Sequence, residues 1–369
     1  MSSLQKIIGL LLGLVLLPWT VEAQLDVAMK RAGFEQVHIL EQSGSYLIQY
    51  EHRNFRDPLA SMDLIRTLAA EDGIADSLLR LAPLLWGENM GVFDADNRWT
   101  SLEESERHIL RQAWSPQKYR FNFRLMPDLN IRFGNFEQPI QEKFGMLLDT
   151  RVYVLPGLSV HTGLYVPITN RLDRTSERPH IGPSHVNYLR QIKPGHFVML
   201  QTGLFVFDRY GWDVQYRYAP YQSRWSYGLQ VNRTGFYVFS QERFFTGPVS
   251  DWVALADVEY RLPWEGLTIK AMGGQFLAGD RGVRMDLIRQ YGSWDVGFFA
   301  TATEFGNSAG FQLAFPLWPG KLLRSRRLEL RTTEEFRWEY SINAEAPVGR
   351  RYRTGTPRLD DLLRQYGRN

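Results

Sequence analysis

From residue 119 onward the chain alternates between apolar and polar positions. Tyr119, Phe121, Phe123 and Leu125 interleave with Arg120, Asn122 and Arg124; after Pro127-Asp128, which reads as a tight turn, Leu129, Ile131 and Phe133 interleave with Asn130 and Arg132. A period of two sends successive side chains to opposite faces of a strand. Further alternating segments run over 145–155, 157–168, 185–193, 196–209, 211–219, 223–238, 251–262, 266–278, 282–291, 294–305, 309–316 and 328–340. Together they predict about 14 strands, with 12 to 16 inside the usual boundary error.

Length and punctuation narrow the architecture. Segments of about 9 to 13 residues suit tilted strands that cross a bilayer, which need about 9 to 11; strands of soluble sandwiches are more often about 5 or 6. Short connections such as Pro156-Gly157, 220–223 and 263–266 contrast with long ones at 169–184 and 240–250, the rim asymmetry of an outer-membrane barrel. Along 211–220, Trp212, Val214, Tyr216 and Tyr218 share one face and Asp213, Gln215 and Arg217 the other. Aromatic residues sit at segment ends and smaller apolar ones at the middle, as in interfacial girdles. The expected fold is mainly β: an antiparallel outer-membrane β-barrel over 118–342 preceded by a small periplasmic α/β module. Arg120, Arg124, Arg132, Asp213, Arg217, Arg224, Asp257, Glu259, Arg284 and Asp286 are the candidate lumen-lining residues. The competing architecture is a secreted sandwich with the apolar face turned into a core.

Upstream, over 24–113, the pattern is mixed. Leu25, Ala28, Met29 and Ala32 share a helical face that ends at Gly33. Two strands flank Ser43-Gly44, and Asp57-Pro58 opens a helix as N-cap and N1. Residues 76–93 read as one or two strands broken at Pro83 and Gly87, and Thr100-x-x-Glu103 as a capping box for a last helix. Residues 343–369 read as a polar periplasmic tail. At the start, Lys6, the apolar run 7–17 and Val21-Glu22-Ala23 form a signal-peptide pattern over 1–23, since the run is shorter than the roughly 20 residues a spanning helix needs.

Composition removes several functions. Zero cysteines exclude disulfides, thiolate metal sites, cysteine nucleophiles and a lipid-modified N-terminal cysteine. A net charge of +3, from 43 basic and 40 acidic residues mixed along the chain, gives no argument for nucleic acid. His180 and His185 have a spacing a metal could use, but Gly182-Pro183 marks an irregular loop without a nearby third ligand. No G-x-S-x-G elbow is present, and the glycine-rich 273–282 lacks the lysine and helix of a phosphate loop. The expectation is a non-enzymatic protein without metal or cofactor. The alternatives are a barrel enzyme acting on lipid or polysaccharide, and a soluble carbohydrate-binding sandwich.

Two stretches carry a family resemblance. Residues 210–232 and 274–306, continuing into Phe315-Pro316, resemble the YjbH and GfcD type of outer-membrane protein from exopolysaccharide and capsule export systems. Matching positions are Tyr210, Tyr216, Arg217, Pro220, Arg224, Trp225, Gly228, Leu277, Ala278, Asp280, Gly282, Asp286, Gly297, Phe315 and Pro316; Trp212 and Asp213 depart from the pattern. Residues 31–39 and 50–58 also look like that family's periplasmic α/β repeat. The resemblance implies a Gram-negative outer-membrane protein in exopolysaccharide export or assembly. Its implied partners are the glycan chain, other export components of the periplasm or outer membrane, and outer-membrane lipid.

Overall fold

The computed structural model describes residues 21–42, 44–133, 140–172, 177–206, 208–220, 222–239, 243–264, 266–342 and 348–367. The expected signal segment lies outside these up to residue 20, as does Ser43 of the predicted turn. Helix α1 (Val21–Ala32) ends at Gly33, as expected from the sequence. Strands β1 (Glu35–Gln42) and β2 (Ser45–Glu51) pair antiparallel. Helix α2 (Pro58–Glu71) follows, its first turn capped by the Asp57 carboxylate, which accepts from the Leu59 amide at 2.9 Å. It carries the chain over to β3 (Leu79–Leu85), which lies parallel to β2.

Two local expectations shift here. Pro83 does not break β3: its carbonyl accepts from the Met90 amide at 3.0 Å as the chain turns at Trp86-Gly87 into β4 (Glu88–Asn89). After β5 (Val92–Phe93) and β6 (Trp99–Thr100), helix α3 (Glu104–Ala113) has its capping box at Glu103 and Glu106. Thr100 is taken by pairing with Val92, so the box starts three residues later than predicted.

The alternating region forms a wall of antiparallel neighbours: β7 (Phe121–Phe133), β8 (Ile140–Leu155), β9 (Leu158–Asn170), the short β10 (His180–Ile181), β11 (Ser184–Lys193), β12 (His196–Phe205), β13 (Arg209–Tyr218) and β14 (Trp225–Phe239). It continues through the short β15 (Phe244–Thr246), β16 (Asp251–Arg261), β17 (Leu267–Gln275), β18 (Arg281–Tyr291), β19 (Trp294–Thr303) and β20 (Gly306–Phe315). The last segment is bent. After β21 (Lys321–Arg324), its first half β22 (Leu328–Thr332) pairs parallel with β7, and its second half β23 (Phe336–Ser341) pairs antiparallel with β20. The pairing order thereby closes into a ring.

Pro127-Asp128 is not a turn. β7 runs straight through it, with Pro127 opposite Met146 on β8. The Phe121 amide donates to Arg327 and the Leu125 carbonyl accepts from Thr333, so odd-numbered backbone groups of β7 face β22. Pro127 shares that parity and lies beyond the end of β22, so its missing N–H costs no ladder bond. Fusing the two expected segments leaves thirteen long strands among the described residues, β22 and β23 counted as one. An odd up-and-down count makes first and last strands parallel, which is the β22–β7 pairing seen.

The tail does not extend away from the wall. Residues 348–367 run through the interior and end in helix α4 (Leu359–Arg364), whose Leu359 and Leu363 are fully buried. The expectation of a free polar extension fails because Leu359, Leu363 and Tyr366 join one apolar cluster with Met29, Phe93 and Trp99 of the module and Leu189, Phe197 and Met199 of the wall. This cluster seats the module in the mouth that carries the short turns. There Gly157, at φ +78°, donates to the Trp86 carbonyl at 3.1 Å, and a Cβ on it would stand 2.0 Å from the Leu189 carbonyl oxygen.

Candidate functional site inside the β wall

The wall is apolar outside and charged inside. Val160, Leu164, Leu200, Leu229, Met285, Leu287 and Phe298 are exposed on the outer face, with Trp225, Tyr227, Trp252, Tyr291 and Trp294 nearer strand ends. The inward positions between them carry Arg124, Asp149, Asp213, Arg217, Glu259, Lys270, Arg284 and Asp286, all buried. Burying a charge is costly unless it is paired, and these residues meet that condition in chains of opposite charges, while buried Arg151 lies over the Trp86 ring, 4.5 Å from its centroid.

The longest chain joins wall, tail and module. Arg217 donates to Asp257 and, at 3.4 Å, to Ser226, and its Nη2 lies 3.4 Å from Glu259. A side chain at Gly228 would collide with the Asp257 carboxylate, so this glycine keeps the space in which Asp257 meets Arg217. Lys270 bonds Asp360 of α4 and lies 3.7 Å from Asp257. Arg364 of α4 donates to Glu259 (2.5 Å), Asp360 (3.1 Å) and Asp361 (3.0 Å). Arg337 of β23 lies 3.2 Å from Asp361 and donates to Glu335 at 2.9 Å. Glu335 also accepts from Arg56 of the module at 2.7 Å, and Arg56 reaches Asp295 of β19 as well.

Two smaller groups complete the lining. Arg284 is bound by Asp286 and, at 2.7 Å, by Glu339; Arg124 is bound by Asp149 and, at 2.8 Å, by Glu334. Asp213 accepts from Gln215 (2.6 Å) and Gln230 (2.8 Å). Near the opposite mouth, the Asp280 carboxylate accepts from the Phe305 amide and from the Gly349 amide of the tail, the latter at 2.7 Å. A cavity of about 300 Å³ remains between tail residues 348–358 and the wall. Tail residues Arg350, Arg351, Arg353 and Arg358 border it, with Met126–Ile131 of β7 and Phe336–Ser341 of β23.

Of the ten candidate lining residues, Arg124, Asp213, Arg217, Asp257, Glu259, Arg284 and Asp286 face the interior. Arg120 does not. It precedes β7 and reaches back to the Gly33 carbonyl, 3.4 Å from Glu35, at the module junction. Arg224 is exposed in the turn before β14, where its carbonyl accepts from the Arg261 amide. The Arg132 side chain lies outside the described residues. The tail's arginines and acids are functional candidates that strand periodicity missed; Leu359, Leu362, Leu363 and Tyr366 at helical spacing were the available signal.

The module junction holds a second unusual group. Glu51 accepts from the Trp86 and Gly87 amides at 2.9 and 3.1 Å and from the Tyr119 hydroxyl. Complete burial nevertheless raises its pKa to about 7. Burial also lowers His52 beside it to about 3. His180 and His185 do not converge: His185 packs on His161 inside the wall (centroids 4.6 Å apart), while His180 sits against Tyr165 and Phe239. Among the described residues no group of three or more His, Cys, Asp or Glu is arranged to hold a metal ion.

The fold and this interior define a mainly β protein whose wall encloses its own charged tail and is stoppered by an α/β module. Within that class the chain belongs to the YjbH family of exopolysaccharide biosynthesis proteins, whose family model matches residues 94–313. The uncharacterized lipoprotein YjbH of Escherichia coli (strain K12) is 24% identical over 233 residues, covering 52% of this chain and 31% of the relative. The chain thus spans about a third of that relative's length. No solved structure matches. No helix among the described residues is long and apolar enough to cross a membrane, which leaves crossing by strands open.

Proposed function

We propose that this protein is an outer-membrane β-barrel that takes part in exopolysaccharide export or assembly without bond-making chemistry of its own, its N-terminal module on the periplasmic side. The observation that carries the membrane reading is the inversion of the wall: a belt of exposed Val, Leu, Met and Phe outside, paired charges inside. In water such a belt would be a far larger apolar patch than soluble monomers carry; in a bilayer it is the solvated face. The module occupies the short-turn mouth, the end that faces the periplasm in such barrels. Family membership supports the exopolysaccharide part. With tail and module filling the interior, glycan passage through this barrel requires the tail to leave; with the tail in place the protein acts as a support within the export assembly.

Two measurements test this. Leu229 is 55% exposed at mid-strand. Leu229→Arg costs about 2–4 kcal/mol of barrel stability in vesicles if the residue meets the bilayer midplane, against under about 0.5 kcal/mol at an ordinary water-exposed site. Full tolerance, with the protein recovered in the soluble fraction, refutes the membrane reading. Deletion of the gene, followed by quantification of cell-surface and periplasmic polysaccharide, tests the process; unchanged amounts and location of every glycan refute it.

A further inference from the structure

The ring closes over only part of its height. Leu125 is the last β7 residue to pair with the bent strand, and β23 pairs with β20 alone. The Ile342 amide donates to Ala309, so even-numbered backbone groups of β23 face β20 and those of Arg337 and Glu339 face away from it. The registered pairs of β7 with the bent strand run from Phe121 to Leu125, and the registered pairs of β23 are with β20. Both edges border the same cavity, and they do so with residues of both faces: Met126 and Asp128 from the inner side, Leu129 and Trp338 from the outer side. The cavity therefore lies between the two strand edges.

Open strand edges are excluded from hydrocarbon unless their polar groups find partners. Here the tail supplies one: Arg353 donates to the Arg337 carbonyl at 2.9 Å. Between 348 and 358 the tail carries Arg350, Arg351, Arg353 and Arg358 and no acid. Outside the slot, Phe336, Trp338 and Tyr340 continue into an aromatic group with Phe311 and Phe315.

We propose that this seam is a lateral portal that takes an amphiphile: its anionic headgroup among the tail arginines, its apolar chain leaving between β7 and β23 onto the outer surface. A wholly water-soluble ligand has no use for an exit onto an apolar face, and a wholly apolar one has none for the arginines. The portal rests on the membrane reading above, and the test separates the two.

The experiment is photo-crosslinking by p-benzoylphenylalanine in the full chain, reconstituted in vesicles containing labelled phosphatidylglycerol or labelled phosphatidylcholine. The reporter stands in turn at Met126 (inner side of the slot), Gln191 (inward, away from it) and Leu229 (outer face). Folding of each variant is checked by heat-modifiable gel mobility, and Asn130 on the same cavity replaces Met126 if that variant misfolds. The expected result is labelling at Leu229 by both lipids, none at Gln191, and labelling at Met126 at least several-fold stronger with phosphatidylglycerol. The Arg353→Gln, Arg358→Gln double variant should remove that preference. Labelling at Leu229 with none at Met126 overturns the portal and leaves the membrane reading standing. Equal labelling of Met126 by the two lipids overturns the anionic headgroup, and silence at all three positions overturns both readings.

Discussion

Replacing Arg364 by Met tests whether ion pairs hold the tail inside the wall. The guanidinium is 2% exposed and donates to Glu259, Asp360 and Asp361, so a neutral isostere leaves three buried carboxylates one cation short. Breaking a buried pair from one side costs about 3–5 kcal/mol. Lys270 still bonds Asp360, Arg337 still faces Asp361 and Arg217 still lies near Glu259, which places the loss at the lower end. At about 1.4 kcal/mol per factor of ten, roughly 3 kcal/mol multiplies the population of the undocked tail by about a hundred. The Leu359 amide reports it directly, because it donates to the Gln215 side chain on the wall at 2.9 Å. Its hydrogen exchange in Arg364→Met should accelerate by about two orders of magnitude while amides in β16 and β17 stay protected. Adding Glu259→Gln removes one of the three carboxylates left a cation short and should recover about 1 kcal/mol or more, a coupling within the range for contacting residues. Unchanged Leu359 exchange, or losses in the double variant that simply add, would refute the view that charge pairing seats the tail.

Three further outcomes are expected. Glu51 holds its proton in the folded state up to about pH 7, against 4.5 in the unfolded chain. Folding therefore takes up a proton between those values, and this group's contribution to stability falls as pH rises from about 4.5 to 7 by about 3 kcal/mol. Thermal unfolding of Glu51→Gln between pH 4 and 8 should lack that decline relative to the parent, and parallel curves would count against it. Gly157→Val should loosen the module from the short-turn mouth, since a Cβ there collides with the Leu189 carbonyl and φ is +78°. A cost of about 1–3 kcal/mol should appear as faster proteolysis of residues 24–113 with the wall intact. Gly228→Val should displace Asp257 from Arg217, visible as faster exchange in α4; unaltered exchange would mean that the network tolerates its loss.

Most of the wall was legible because a strand that separates charge from apolar surface must alternate, and period two is hard to hide over ten residues. Trp252, Ala254 and Ala256 against Asp257 and Glu259 needed no tertiary information. The Pro127 error has a definite cause: the dipeptide is a turn signal locally, and only the place where β22 stops makes a proline harmless inside β7. Arg120 and Arg224 show the other limit. Alternation assigns a face but not the point at which a strand begins, so residues just before β7 and β14 were carried inward with the rest. The tail was misread for a different reason. Its charges look solvated in sequence, and nothing local shows that Lys270, Glu259 and Arg337 wait for them inside the wall.

That complementarity explains why an inward-charged wall can be filled by so polar a segment. A polypeptide entering a lumen of unpaired charges would meet large desolvation costs on both sides; here Asp360 and Asp361 meet Lys270 and Arg337 while Arg364 meets Glu259, so most charges brought in neutralise ones already present. Cations outnumber acids around one cavity. Tail residues 348–358 bring four arginines and no acid to a cavity where Glu339 is shared by Arg284 and, at 3.7 Å, Arg351, and Asp361 is engaged by Arg364 and Arg337. This basic stretch of the tail lies beside the part of the ring beyond the registered β22–β7 pairs. A surplus of cations beside such an edge is what a bound anionic amphiphile would balance.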